Sequence, residues 1–195
     1  MSSRSQVLWH RQDGIWRAFE PSAEQLDAYC PLLADAYNEP YNRAMMANEQ
    51  AFTAEQVAAL WKDMWRRGGR PFLLVRGDEW IGDADFRHVE DGCAEFAIMV
   101  GPRGRQGKGV GTAFAVMLHA LAFRVWKLDR IYVTILPSNT ASQRLFRKLG
   151  YQIDDSPKAR SYTDQDDDVS MSCDFAQLAA SHGPQLEELS FGEVP

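Results

Sequence analysis

Residues 103–112 read RGRQGKGVGT, a stretch that places four glycines within eight residues and adds the cations Arg103, Arg105 and Lys108. Glycine destabilises a helix or strand interior by about 0.5–1 kcal/mol relative to alanine, so such a cluster needs a specific reason. The apolar stretch Thr112 to Leu128 follows and predicts a largely buried helix. The glycines therefore form either a flexible surface loop or a backbone cradle whose amides hold an anion at the start of that helix.

Composition limits the kind of protein to which this loop belongs. The chain has 195 residues, of which 45% are hydrophobic and 25% charged, with a formal net charge of −6. These values predict one globular domain over residues 1–180, followed by an irregular acidic tail over residues 181–195. An acidic protein is a poor partner for nucleic acid, so the basic loop is a local patch that suggests a local anion.

Neither secretion, membrane insertion nor metal binding is indicated. The three cysteines, Cys30, Cys93 and Cys173, are widely spaced, and the first residues contain no apolar signal core. No run of about 18 apolar residues occurs, and the histidines form no spaced cluster. The sequence predicts a cytoplasmic protein with no membrane partner and no metal site; it leaves the oligomeric state open.

Capping signals predict two helices before the loop. Ser22 and Thr53 each precede a glutamine by three residues, which is the capping-box pattern of a helix start. Because proline lacks the N–H group that a helix interior needs, Pro31 predicts that the first helix divides into two short or kinked pieces. The second helix is expected to end at Gly68-Gly69.

The remaining elements predict an α/β fold with a mixed, mostly antiparallel sheet flanked by helices. Residues 71–100 contain three apolar runs separated by Gly77-Asp78 and Asp91-Gly92, the turn chemistry of an antiparallel meander. After the buried helix we expect a central strand at Arg130 to Leu136. A second helix should follow, with Asn139 as its N-cap and Gly150 just after its end. A last strand is expected near Asp168 to Cys173.

The spacing of the glycines argues against two common nucleotide sites. Gly107, Gly109 and Gly111 are spaced by two and follow an antiparallel meander, whereas the dinucleotide fingerprint G-x-G-x-x-G belongs to a parallel βαβ unit. A Walker A loop needs a lysine and a hydroxyl residue after its last glycine, and this run closes with Val110-Gly111-Thr112. NAD and ATP are therefore disfavoured as ligands.

Two segments carry a resemblance to a known family. The run Gln106 to Gly111 resembles the Q-x-x-G-x-G acyl-CoA signature of the GNAT superfamily of N-acetyltransferases, and residues 139–151, NTASQRLFRKLGY, resemble its second conserved segment. The acidic run at residues 164–169 is most simply a solvated loop, although its place before the last strand resembles the ending of the ribosomal-protein-acetylating, Rim-like subgroup. The resemblance covers residues 72–173 best and implies acetyl-CoA as co-substrate.

The resemblance also implies a binding site. The loop amides would hold the coenzyme A pyrophosphate with added charge from Arg103, Arg105 and Lys108. The strand before the loop would splay from the next one at a bulge and pair with the pantetheine arm. The cofactor-binding residues so implied are Ile98, Met99, Val100, Arg105, Gln106, Gly107, Lys108, Gly109, Val110, Gly111, Thr112, Asn139 and Phe146.

The implied reaction is direct attack of a primary amine on acetyl-CoA in a ternary complex. Glu95 is the candidate catalytic base, because an ammonium must lose its proton before it attacks; the alternative is an exposed strand residue without a chemical role. The net acidity favours a cationic acceptor, such as a polyamine, an aminoglycoside-like compound or a protein N-terminus.

Phe146 departs from the family pattern. Many relatives have a tyrosine there that acts as general acid to the departing sulfur. Either helix dipoles alone stabilise the departing thiolate, or the hydroxyl of Ser142 or Tyr151 replaces that of the tyrosine. A helix serine usually bonds its own backbone, so we expect Ser142 to do so. The remaining alternative is that the chain is a non-catalytic acyl-CoA-binding module.

His119, on the apolar helix, is expected to be a core histidine.

Overall fold

The computed structural model describes residues 3–47, 50–101 and 103–194. Its strands are β1 (Ser5–Arg11), β2 (Gly14–Phe19), β3 (Arg70–Arg76), β4 (Glu79–Glu90), β5 (Cys93–Val100), β6 (Arg130–Ile135), β7 (Gln152–Ile153), β8 (Val169–Cys173) and β9 (Leu189–Glu193). Its helices are α1 (Ala23–Asn38), α2 (Pro40–Met45), α3 (Ala54–Arg66), α4 (Val110–Arg124), α5 (Thr140–Lys148), α6 (Pro157–Arg160) and α7 (Phe175–Leu186).

These strands form one sheet in the order β7-β8-β6-β5-β4-β3-β2-β1-β9. Neighbouring strands run antiparallel except β5 and β6, which run parallel. The predicted mixed, mostly antiparallel sheet flanked by helices is therefore confirmed. Within the described part of the chain, no helix combines the length and the apolar character needed to cross a lipid bilayer.

Two hydrophobic clusters hold the helices to the sheet. The larger cluster surrounds α4, which is buried along almost its whole length because it is apolar on all sides. The smaller cluster packs α1 and α3 on the opposite face. Strand β3 serves both, with Phe72 and Leu74 in the larger cluster and Leu73 and Val75 in the smaller, so a central strand reads as a continuous apolar run.

The predicted meander and helix starts agree with the structure. Strands β3, β4 and β5 are consecutive antiparallel neighbours, and positive φ at Gly77, Asp91 and Gly92 marks the two turns between them. Ser22 and Thr53 both form complete capping boxes, at the starts of α1 and α3. Helix α4 begins at Val110, two residues earlier than predicted, and ends at Arg124 rather than near Leu128.

Pro31 does not divide the first helix, so the prediction of two separate pieces is wrong. Helix α1 runs without a break from Ala23 to Asn38 with the proline inside it. Leu26 and Cys30 before the proline and Leu33 and Tyr37 after it are all buried in the smaller cluster. Packing of both halves on the same face of the sheet therefore outweighs the backbone hydrogen bond that the proline removes.

Most of residues 181–194 belong to regular elements, so the prediction of an irregular tail over residues 181–195 is wrong for them, and residue 195 lies outside the described part of the chain. Helix α7 extends to Leu186, and β9 pairs antiparallel with β1 as a ninth strand of the same sheet. Strand β9 covers the edge of β1, Leu189 and Phe191 pack against the larger cluster, and Trp9 Nε1 donates to Glu188 at 2.8 Å. Strands β1, β2 and β9 were not predicted.

His119 is a buried histidine with two hydrogen-bond partners, as expected of a core position. Its Nδ1 lies 2.7 Å from the Ala115 carbonyl oxygen and its Nε2 lies 2.6 Å from the Tyr151 hydroxyl. Nδ1 can therefore donate while Nε2 accepts, which needs the neutral ring. Burial lowers the pKa of His119 to about 3.

We expect this histidine to make the fold sensitive to acid. Its folded-state pKa of about 3 lies below the ordinary value of 6.5, so the unfolded chain binds more protons between these two pH values. The histidine's contribution, on the order of a few kcal/mol, is present above pH 6.5 and is lost as the pH falls toward 3. Denaturant unfolding of wild type and His119→Gln between pH 3.5 and 7.5 measures it: the variant should show a flatter pH dependence, and equal slopes would contradict this prediction.

Candidate active site

Strand β5 separates from β6 after three residue pairs. The two strands pair only from Cys93 to Glu95 on β5, opposite residues 130–132, whereas β5 stays paired with β4 as far as Val100. No strand among the described residues pairs with residues 96–100 on the β6 side. This confirms the predicted splay, and it leaves one backbone edge of β5 free for an extended ligand.

The splay does not coincide with a bulge, contrary to the expectation from the resemblance. The register of β4 with β5 is regular from Glu95 to Val100, and its irregularity lies between Arg87 and Glu90. Strands β5 and β6 diverge because, beyond Glu95, β5 stays paired with β4 whereas β6 stays paired with β8.

The glycine-rich loop leads directly into α4. A turn of 3-10 helix at Arg103–Arg105 precedes Gly107 and Gly109, whose φ angles of 73° and 79° lie in the left-handed region that favours glycine. A Cβ atom at either glycine would meet no atom within 4 Å, so the space beside the loop is open. Gly109 is the N-cap of α4, and the first amides of the helix behind it lack intrahelical acceptors, which suits an anion.

Gly111 has a different role from the other two glycines. A Cβ atom there would lie 3.0 Å from Leu145 Cδ1 and 3.3 Å from Val100 Cγ2. This glycine therefore lets α4 pack closely against α5 and the end of β5.

A groove of about 350 Å³ runs from this loop along the free edge of β5. Most of the predicted cofactor residues line it: Ile98, Met99, Val100, Gln106, Gly107, Gly109, Gly111, Thr112 and Asn139. Arg144 and Lys148 of α5 also line the groove, and they supply positive charge that the sequence analysis did not assign to it.

Four predicted residues lie elsewhere. Arg105 is not among the residues that line the groove, and its Nη2 donates to both carboxylate oxygens of Glu79 at 2.6 Å, so its role as a phosphate cation stays a prediction. The Val110 side chain is buried in the larger cluster, which leaves only its backbone for binding. Lys108 is exposed beside the groove rather than among its lining residues, and Phe146 lines a second cavity. The Arg103 side chain lies outside what the structure describes.

Gln106 and Asn42 fix the position of the loop. Gln106 Nε2 donates to the Val100 carbonyl oxygen at 2.9 Å and to Asn42 Oδ1 at 2.8 Å. The buried Asn42 donates in turn to the carbonyl oxygens of Ala36 and Gly101. Asn42 was missed because a single asparagine in a short helix carries no sequence signal of this network.

The second cavity, also about 350 Å³, adjoins the groove. Both are lined by Ile98, Met99, Asn139 and Ser142, so they meet at the splayed strand. Among the described residues, its charged groups are five carboxyl groups and one guanidinium, those of Asp83, Asp85, Glu95, Asp164, Asp168 and Arg87. We call this space the acceptor cavity.

Strand pairing places most of these charges on one face of the sheet. Asp83 lies opposite Met99, Asp85 opposite Ala97, and Arg87 opposite Glu95. The alternation that produces this arrangement is visible in the sequence, where charged residues at positions 83, 85 and 87 alternate with the apolar Ala84 and Phe86. The meander was predicted from the apolar residues of this strand alone, so the role of its charged residues was missed.

Glu95 lies in the acceptor cavity and is only 9% exposed. Burial raises its pKa; the nearby Arg87 opposes this effect, and Asp85 and Asp164 reinforce it. His88 Nε2 lies 3.9 Å from Glu95 Oε2, and the His88 side chain is 61% exposed. The carboxyl group of Glu95 is thus shielded from water, whereas the neighbouring His88 ring is in contact with solvent.

Asp83 is a second buried carboxyl group in the same cavity. Tyr37 donates its hydroxyl to Asp83 Oδ2 at 2.8 Å, and Trp61 Nε1 donates to the Tyr37 oxygen at 3.3 Å. Burial raises the pKa of Asp83 to about 8, against the effect of the Tyr37 hydrogen bond and with a contribution from Asp85.

The candidate hydroxyl groups have different surroundings. Tyr151 is excluded as an acid for the cavity because its hydroxyl is buried against His119. Ser142 lines both cavities, and its hydroxyl makes no hydrogen bond to any described residue, so the expectation that it bonds its own helix is wrong. Phe146 packs beside Tyr151 with ring centroids 5.1 Å apart, and it lines the acceptor cavity. Asn139 is confirmed as the N-cap of α5.

The family model described as an acetyltransferase (GNAT) domain matches residues 17–152. No curated protein sequence matches the chain closely enough to count as a relative.

Solved structures with the same fold share little sequence with this chain. Mycobacterium smegmatis RimJ, solved with CoA-disulfide, is 17% identical over 94% of this chain and 92% of that one, with a TM-score of 0.66. The aminoglycoside acetyltransferase AAC(6')-Ib, solved with coenzyme A, is 17% identical over 84% of this chain and 97% of that one, at 0.68. Spermidine N-acetyltransferase from Vibrio cholerae, solved with CoA and spermine, is 15% identical over 84% of this chain and 97% of that one, with a TM-score of 0.67.

Proposed function

Because the chain belongs to the GNAT acetyltransferase family, we propose that it transfers the acetyl group of acetyl-CoA to a primary amine that is positively charged in solution. The observation that carries the proposal is the acceptor cavity, where five carboxyl groups and one guanidinium adjoin the groove at the splayed strand. A cavity with this balance of charge attracts cations. RimJ, the aminoglycoside enzyme and the spermidine enzyme have the same fold, which agrees with a small cationic amine or a protein N-terminus as acceptor.

The groove fits acetyl-CoA, which supplies an acetyl group activated as a thioester. The loop at Gly107 and Gly109 presents amides at a helix N-terminus to the pyrophosphate, with Arg144 and Lys148 as nearby cations. The free edge of β5 offers backbone hydrogen bonds to an extended arm, and Asn139 lies where the groove meets the acceptor cavity. This accounts for nine of the predicted binding residues.

Glu95 is proposed to take the proton that the acceptor's ammonium must lose before direct attack in the ternary complex. Its burial raises the pKa, which makes the carboxylate a stronger base than an exposed glutamate. Glu95 then returns the proton to solvent, on the side of the cavity where the largely exposed His88 side chain lies 3.9 Å from its Oε2.

Release of coenzyme A in the presence of a panel of amines tests the proposal. The panel contains diamines, an aminoglycoside, a peptide with a free N-terminus and, as controls, the N-acetylated peptide and an amino acid with a net negative charge. We expect turnover with at least one cationic amine and little with the controls. Binding of acetyl-CoA without turnover of any amine would instead support the acyl-CoA-binding module that Phe146 suggests.

Ser142 is proposed to assist the departing sulfur in place of the missing tyrosine hydroxyl. Its hydroxyl lies where the groove and the acceptor cavity meet and has no partner among the described residues. Ser142→Ala should lower kcat by about tenfold or more, since positioned proton transfer contributes about 10²–10⁴-fold and helix dipoles still stabilise the thiolate. Ser138→Ala, at an exposed position outside α5, is the matched control. A kcat equal to that of wild type in Ser142→Ala would leave helix dipoles as the main assistance.

A further inference from the structure

Asp83 has a buried carboxyl oxygen without a hydrogen-bond partner. The residue is 6% exposed, Oδ2 accepts the Tyr37 hydroxyl, and Oδ1 makes no hydrogen bond to any described residue. Leaving such a group unpaired in an apolar environment costs free energy, so native proteins rarely retain one without a reason. Because Asp83 also lines the acceptor cavity, a ligand in the cavity is the available partner.

The surroundings of Asp83 hold the carboxyl group in place without supplying a positive charge to it. Tyr37 of α1 is fixed on Oδ2 by Trp61 of α3, while Leu73 of β3 and Met99 of β5 lie opposite Asp83 in the sheet. The nearest charged neighbour on the strand, Asp85, is itself paired with Arg87, whose Nε lies 2.7 Å from Asp85 Oδ1. The guanidinium of the cavity therefore serves Asp85, and Asp83 has no cation of its own among the described residues.

The position of Asp83 differs from that of Glu95 along the cavity. Asp83 lies opposite Met99, which is four residues beyond Glu95 on β5. At about 3.3 Å per residue, the two acids are separated by about 13 Å along the sheet. One small ammonium group cannot contact both carboxyl groups.

We propose that Asp83 binds a second ammonium group of the acceptor, so that the preferred substrate carries two cationic nitrogens, one attacking near Glu95 and the other held by Asp83. This inference rests on the proposed function and adds the substrate class to it. On binding, the carboxylic acid of Asp83 releases its proton to solvent, and the resulting carboxylate accepts hydrogen bonds from the ammonium through the unpaired Oδ1. Tyr37 already donates to the other oxygen, Oδ2, at 2.8 Å, so Oδ1 is the oxygen left for the ammonium.

The first test compares matched substrates. Acetylation of 1,8-diaminooctane and of octylamine is measured with wild type, Asp83→Asn and Asp168→Asn. Asp168 is a suitable comparison because it is also buried, lines the cavity and has an unpaired carboxyl oxygen. We expect Asp83→Asn to lower the ratio of kcat/KM for the diamine to that for the monoamine by about tenfold or more, the value of one charge-assisted hydrogen bond. An unchanged ratio in Asp83→Asn, or an equal loss in Asp168→Asn, overturns the assignment to Asp83.

The second test does not depend on turnover or on the folding of a variant. Calorimetric titration of 1,8-diaminooctane into wild-type protein with coenzyme A, in two buffers of different ionisation enthalpy, measures protons released on binding. Because burial keeps the Asp83 pKa at about 8, we expect release of most of one proton at pH 7. Asp83→Asn should not release it. Binding without proton release overturns this inference, whereas a wild type that turns over no amine in the panel overturns the proposed function.

Discussion

Replacing Glu95 by glutamine should lower kcat/KM for the amine by about 10²–10⁴-fold, the usual contribution of a positioned proton acceptor. Glutamine has nearly the same shape but cannot accept a proton, and it removes a charge that burial disfavours, so the fold should tolerate it. Affinity for acetyl-CoA should stay within about twofold, because Glu95 lines the acceptor cavity and not the groove. Binding and rate should therefore separate.

The pH profile shows whether Glu95 acts as the base. The carboxylate accepts a proton only when ionised, so its contribution to kcat/KM is present at high pH and is lost as the pH falls through its raised pKa. Wild type should show this acidic limb above the range of an ordinary glutamate, and Glu95→Gln should lack it. Glu90→Gln, an exposed glutamate on the neighbouring strand, is the control. Full activity with an unaltered acidic limb in Glu95→Gln would show that another group or solvent removes the proton.

Local sequence signals predicted the backbone features around the groove well. Gly107 and Gly109 adopt backbone angles that few other residues reach, and Asn139 caps its helix through its own side chain, so each feature is determined within a few residues. The antiparallel meander follows in the same way from its turn residues. Such features survive in sequence because tertiary context changes them little.

The acceptor cavity could not be predicted from local signals. Asp83, Asp85 and Glu95 come together through the register of β4 with β5, Asp164 and Asp168 join them from the segment before β8, and Tyr37 reaches Asp83 from a helix 46 positions away. Arg105 is a second example, because this cation of the loop pairs with Glu79 of β4, and no signal within the loop predicts that contact. Strand β9 was missed because its pairing with β1 joins the two ends of the chain. Contacts between residues distant in sequence decide all three.

Gly109→Val should weaken acetyl-CoA binding by about 10–100-fold, equivalent to the loss of one or two charge-assisted hydrogen bonds. Gly109 is the N-cap of α4 at a φ of 79°, a conformation that a β-branched residue adopts only with strain. A valine there either keeps this backbone and places its side chain in the open space beside the loop, or it shifts the backbone and reorients the amides of α4. Both outcomes remove close approach of a phosphate to the helix N-terminus.

Three further variants separate this effect from general destabilisation. Gly14→Val also places a β-branched residue at a positive φ, 119°, in the turn between β1 and β2 with no atom within 4 Å, so it controls for backbone strain away from the groove. Gly109→Ala keeps most of the strain but adds little bulk. Lys108→Ala should weaken binding by only about threefold, because an exposed charge contributes little next to oriented amides. Calorimetric titration of acetyl-CoA into each folded variant gives the affinities. A Gly109→Val protein that binds like wild type would show that the loop is not a phosphate cradle, whatever the result for Lys108.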